Sequence, residues 1–166
     1  MKASTLKRMV AWVRLYWLAS LFYEAYRLVL KPHTHGSLVA IWYMHQLLLV
    51  QTSYRSGWGL PGGGVQAHES ALQAALRELD EELGLVLPAE QLLNPWMITE
   101  GGVRGLNTVS IFTAELTERP EVRIDGMEIV AFGWYDLEQA KAIRLPSHVR
   151  AYLEAFTSQS TLRSTD

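Results

Sequence analysis

The stretch Gly63–Leu85, GGVQAHESALQAALRELDEELGL, decides how the rest of the chain is read. From Ser70 onward Leu72, Ala75, Leu76, Leu79 and Leu83 recur at helical spacing, which predicts one buried stripe on an amphipathic helix. Ser70 followed three residues later by Gln73 has the form of a capping box, and Gly84 stands where a left-handed residue closes a helix. The opposite face is acidic, with Glu78, Asp80, Glu81 and Glu82. Glu78 and Glu82 are one turn apart and Glu81 lies beside them, so three carboxylates share that face. Like-charged neighbours cost roughly 0.2–0.5 kcal/mol each, and carboxylates in a last helical turn also oppose the helix dipole. The expectation is a strained acidic face that a hard cation relieves. Oxygen donors at this density suit Mg2+, with Mn2+ as a substitute. Arg77, one turn before Glu81, adds a countercharge. For the helix taken alone, the alternative is a solvated acidic face with no ligand.

Just upstream, Leu60-Pro61-Gly62-Gly63-Gly64 forms a loop whose glycines permit close backbone approach. Joined to the helix, it completes a longer pattern: Gly63, five residues, Glu69, seven residues, then Arg77-Glu78-Leu79-Asp80-Glu81-Glu82-Leu83-Gly84-Leu85. At every fixed position this resembles the signature of the Nudix hydrolases. The resemblance implies a loop–helix–loop carried on an α/β/α sandwich with a mixed central sheet. It also implies Mg-assisted cleavage of the diphosphate linkage in a nucleoside diphosphate joined to some group X. Carried over by position, it makes Glu78 and Glu82 the main metal ligands and Glu81 a third ligand or the proton acceptor. Arg77 then orients the glutamates, Glu69 supports them, and the backbone carbonyl of Gly62 completes the metal site. Glu128, six residues before Trp134, resembles a later family element whose glutamate contacts metal or acts as the base. The chemistry agrees, because water must approach phosphorus against the repulsion of phosphate oxygens, and a bound cation both neutralises that charge and acidifies water.

The chain has 166 residues, 49% of them hydrophobic, enough for one domain with a sizeable core. It has no cysteine, which excludes disulfides and thiolate metal sites and makes a cytoplasmic location the expectation. Residues 1–31 carry Lys2, Lys7, Arg8, Arg14, Arg27 and Lys31 against Glu24, six minus one, or +5. With a total of −2, residues 32–166 carry −7, which fits a metal-dependent enzyme and argues against a duplex nucleic-acid surface.

Residues 1–31 form the first expected segment, a helix over 5–30 rich in Trp12, Trp17, Phe22, Tyr23 and Tyr26. Arg14, Glu24 and Arg27 interrupt its apolar run, so it is too short to span a bilayer. It is expected to pack on the domain or on a second subunit, making a homodimer. A second reading lays it on an anionic membrane surface. The catalytic domain is expected over 32–157. In it, 37–43 and 47–52 read as a hairpin, 96–99, 108–116 and 129–135 as strands, and 137–143 and 147–156 as helices capped by Asp136 and opened by Pro146-Ser147. His33 and His35 are read as flanking a turn, Gly101, Gly102 and Gly105 as marking a loop, and 158–166 as a polar, frayed tail. Arg55 and Arg104 are candidate contacts for substrate phosphate, and Trp58 is read as loop packing.

Among function classes, a non-catalytic Nudix-like nucleotide-binding module is disfavoured because Glu78, Glu81 and Glu82 are all present. Isoprenoid diphosphate isomerisation on the same fold resembles a branch with a catalytic cysteine, which this chain lacks. The substrate expected is a small nucleotide derivative, a nucleotide sugar or ADP-ribose first, with nucleoside triphosphate sanitising as the alternative. Loops build such pockets, so fold-level analogy does not select among these.

Overall fold

The computed structural model describes residues 33–102, 105–124 and 126–163. The helix expected within residues 1–31 and the phosphate contact expected of Arg104 lie outside the described residues. Strands β1 (Thr34–Tyr43) and β2 (Gln46–Thr52) are antiparallel, with Tyr43 opposite Gln46. The turn between them is Met44-His45, with φ of 45° and 67°. Two left-handed central residues match the twist of the flanking strands, so the expected hairpin is formed without glycine. Strands β3 (Gly62–Gly64), β4 (Leu93–Gly102), β5 (Gly105–Leu116) and β6 (Ile129–Asp136) complete a six-stranded sheet of order β4-β5-β1-β2-β6, with β3 paired to β1.

Successive residues of a strand point to opposite faces, and here both faces are covered. Val39, Ile41, Leu48 and Val50 pack with Ala75, Leu79 and Leu83 of helix α1 (Ala71–Leu83). Their alternates Ala40, Trp42, Leu47 and Leu49 pack with Val149, Tyr152 and Leu153 of helix α3 (Ser147–Arg163) and Ala140 of helix α2 (Leu137–Ala142). Continuous apolar runs in β1 and β2 therefore follow from burial on both sides, and the architecture is helix, sheet, helix.

Local chemistry explains where elements differ from expectation. Strand β1 starts at Thr34, so His35 lies within it instead of flanking a turn, and its Nε2 lies 2.8 Å from Ser110 Oγ. Gly101, Gly102 and Gly105 stand at strand ends, and β4 and β5 run further than their apolar cores suggest. Thr99 and Thr108 hydroxyls meet at 2.9 Å between these strands. Helix α3 passes the expected end at Phe156, and hydroxyl side chains there bond back to the preceding turn. Thr157 Oγ1 donates to the Leu153 carbonyl at 2.7 Å and Ser158 Oγ to the Glu154 carbonyl at 3.0 Å. Asp136 caps α2 as expected, accepting from Gln139 N–H at 2.8 Å.

Two compact units divide the chain. The larger, His35–Thr99 with Thr108–Asp166, holds the core and all site residues described below. In the other, Thr34 Oγ1 donates to Asn107 Oδ1 at 2.9 Å. No helix among the described residues is long and apolar enough to cross a membrane.

Candidate active site

The site is assembled where β3 meets α1. Val39 N–H donates to the Pro61 carbonyl at 3.0 Å and Val65 N–H to the His35 carbonyl at 2.8 Å, with Ser37 opposite Gly63. Positions 61, 63 and 65 thus engage β1, and the alternate positions Gly62 and Gly64 turn their backbone groups the other way. They meet the helix: Gly62 N–H donates to Glu82 Oε2 at 2.7 Å, and the Gly64 carbonyl accepts from Arg77 Nη2 at 3.2 Å.

Two glycines permit this approach. Gly62 has φ 128°, and a Cβ there would run into the backbone of Ser37. A Cβ on Gly63 would lie 2.5 Å from Glu78 Oε1, so the Glu78 carboxylate rests directly over that residue. Helix α1 is fixed at both ends. Its start is tied by the Ser70–Gln73 capping box and by Ser37 Oγ donating to the Ala71 carbonyl at 2.6 Å. Its end is closed by Gly84 at φ 62°, whose N–H donates to the Asp80 carbonyl at 3.0 Å.

The acidic face differs from the expected one in two respects. Glu82 is only 4% exposed: three residues after Leu79 and seven after Ala75, it falls on the edge of the buried stripe. Nor are the carboxylates left to repel one another, because Arg77 spans them. Its Nη2 and Nε take both Glu69 oxygens, at 2.9 and 3.2 Å, while Nη1 donates to Glu78 at 2.8 Å and to Glu81 at 2.9 Å. Only a planar fork with five donors serves so many acceptors at once. These bonds, that to Glu69 foremost, raise the guanidinium pKa further, and the same bond with Gln66 N–H holds Glu69 below the usual carboxylate range. Arg77 thus offsets the repulsion expected between Glu78 and Glu81.

Glu128 is tied to the loop after β2. Ser53 N–H donates to its carbonyl at 2.8 Å, and the Tyr54 hydroxyl bonds to its carboxylate. Partial burial, and next the negative Glu128, push the Tyr54 hydroxyl pKa up, and Glu82 acts on it in the same direction. Arg55 and Gly62 both line a cleft of about 410 Å3. Trp58 meets Tyr135 edge-on at 5.3 Å and also lines this cleft. Tyr54, Arg144 and Arg150 were not legible as site residues, since a tyrosine in a polar loop and arginines near a helix start carry no motif; only the fold brings them to the cleft.

Every donor suited to a cation is a hard oxygen: the carboxylates of Glu78, Glu81 and Glu82 and the backbone of Gly62. Among the described residues no three acidic or histidine side chains converge as a ready cage. Mg2+ needs none, because it takes one or two carboxylates, keeps several waters and accepts phosphate oxygens. The residues present fit that mode of binding.

The family model of the NUDIX domain matches residues 32–156. The chain is similar to nudix hydrolase 4 of Arabidopsis thaliana, 29% identical over 121 residues, covering 73% of this chain and 58% of that protein. It spans between 11% and 58% of the length of the curated relatives it matches. The MutT NUDIX hydrolase structure from Burkholderia pseudomallei superposes with a TM-score of 0.63 at 26% identity, covering 75% of this chain and 98% of that one. The dihydroneopterin triphosphate pyrophosphohydrolase of E. coli gives the same TM-score and identity, with 74% and 93% covered.

Proposed function

Because the chain belongs to the NUDIX domain family, we propose that it is a Mg-dependent hydrolase cleaving the diphosphate linkage of a nucleoside diphosphate joined to X, with nucleotide sugars and ADP-ribose as preferred substrates. The observation that carries this reading is the pair of differently held carboxylates, Glu82 on Gly62 N–H and Glu78 on Arg77, brought to one strand edge. Glu78 and Glu82, with Glu81 and the Gly62 carbonyl, would hold Mg2+, or Mn2+ in its place. When bound, the cation neutralises charge on the phosphate oxygens and lowers the pKa of a water. Arg77, itself positioned by Glu69, keeps Glu78 and Glu81 in place, so their geometry need not be rebuilt during reaction. Glu81 and Glu128 are the carboxylates we assign to take the proton from water, and Tyr54 holds Glu128 by its hydroxyl. Arg55, in the lining of the cleft, is assigned to the phosphate of X.

A second reading, pyrophosphate release from a nucleoside triphosphate, is supported by likeness to the E. coli dihydroneopterin triphosphate pyrophosphohydrolase. The two are separated by identifying products from ADP-ribose, a nucleotide sugar and a nucleoside triphosphate incubated with Mg2+. Two monophosphate products from the first pair support our reading, pyrophosphate from the third alone supports the second, and no Mg-dependent product from any sinks both. Residues 1–31 we assign to a homodimer contact, with peripheral binding to an anionic membrane as the competing role, and the protein to the cytoplasm.

A further inference from the structure

The cleft whose lining includes Gly62 is lined by three arginines. Besides Arg55 on the loop after β2, it is lined by Arg144 and Arg150, from the turn before α3 and from its first turns. The two walls touch, since a Cβ on Gly57 would lie 3.3 Å from the Arg144 carbonyl. Leu60 and Val149, both buried, are part of the same lining, while the three arginines are exposed to solvent.

Their partners distinguish these arginines from others. Arg77 and Arg123 are paired to carboxylates at 2.8–3.1 Å, and Arg119 lies over the Trp134 ring. Arg55 lies over the Tyr54 ring, Arg150 donates to the Leu145 carbonyl at 3.4 Å, and none of Arg55, Arg144 and Arg150 forms an ion pair with a carboxylate of the described residues. Residues 32–166 carry a net −7, so acidic partners are abundant in this part of the chain. An anion entering the cleft meets positive charge on its lining, and the guanidinium fork matches a phosphate bidentately.

We propose that Arg144 and Arg150 form an anion subsite for a further phosphate monoester, carried by the substrate away from the scissile diphosphate. Within the nucleoside diphosphate derivatives, those that bear such an extra phosphate then bind more tightly than their counterparts without it. The inference rests on the hydrolase reading only for the remainder of the ligand, and its test needs no turnover.

Calorimetric titration of the full chain, with chelator present, compares adenosine 5′-monophosphate with adenosine 2′,5′- and 3′,5′-bisphosphate. The parent should bind one of the bisphosphates about tenfold more tightly than the monophosphate, as expected for one added bidentate phosphate contact. In R144A/R150A that ratio should collapse to about one, and R144K/R150K, which keeps charge but loses the fork, should fall between. Equal affinity for mono- and bisphosphates in the parent would overturn the proposal, as would a ratio unchanged in R144A/R150A. Adenosine 5′-diphosphate, with its second phosphate in the diphosphate position, is the control: a gain as large as that of the bisphosphates, lost equally in R144A/R150A, would mean that charge alone is sensed. Failure of the hydrolase reading is a separate result, the lack of any Mg-dependent product, and leaves these affinities as they are.

Discussion

Glu82 is the residue on which burial and proposed chemistry meet. A carboxylate this deeply buried is costly unless hydrogen-bonded, and Gly62 N–H supplies a bond at 2.7 Å. Glu82→Gln keeps an oxygen for that donor and removes the charge, so folding should persist while turnover with saturating Mg2+ falls about 100-fold or more. Turnover near that of the parent would take Glu82 out of the metal site. Glu69 gives a pH signature. Its folded-state pKa is depressed by Arg77, so its contribution to stability is fully present above the ordinary carboxylate range and is lost as pH falls through the depressed value. Thermal melts of parent and Glu69→Gln should differ at neutral pH and converge on acidification; a gap independent of pH would show that Glu69 acts by packing. The helix carboxylates and Arg77 were readable because chemistry at fixed spacing leaves a trace in sequence. The burial of Glu82 and its Gly62 bond were less so, since helical spacing puts it on the rim of the stripe and only the strand decides which side of the rim is covered.

At the scale of elements, β3 and α1 act as one device and their glycines separate fold from site. Gly62→Ala forces a side chain into φ 128° against the Ser37 backbone, and should cost roughly 3 kcal/mol or more of stability. Gly63→Ala displaces only the flexible Glu78 side chain, so it should melt near the parent yet lose at least about tenfold in turnover. Denaturant titration together with initial rates checks the pair, and equal stability losses would remove the distinction. Helix α1 was legible to its caps, because Ser70, Gln73 and Gly84 are local signals. The extent of α3 was not, since its hydroxyl residues read as loop formers until they bond back to Leu153 and Glu154. Strand β1 was read short for a related reason: His35 suggests a turn, and only its neighbour across the sheet, Ser110, makes it strand.

For the whole molecule, the resemblance to the Nudix signature implied an α/β/α sandwich, and the two cores on opposite faces of the sheet bear that out. The cleft was not predictable, because residues from 52–60 and 144–150 come together only after α3 has packed on the sheet. Charge is also a property at this scale. Residues 1–31 carry +5 and 32–166 carry −7, and deleting 1–31 should convert a dimer seen by light scattering into a smaller or aggregating species. Unchanged mass with lost binding to anionic vesicles would instead assign the segment to a membrane surface. The central claim is that the carboxylates joined by Arg77 and Gly62 hold a divalent cation in the folded chain. Electron paramagnetic resonance of Mn2+ titrated into the full-length protein tests it most directly, because bound ion is lost from the free-ion signal. The account predicts saturable binding by the parent, competed by Mg2+ and abolished in E78Q/E82Q; equal Mn2+ binding by that double variant would contradict it.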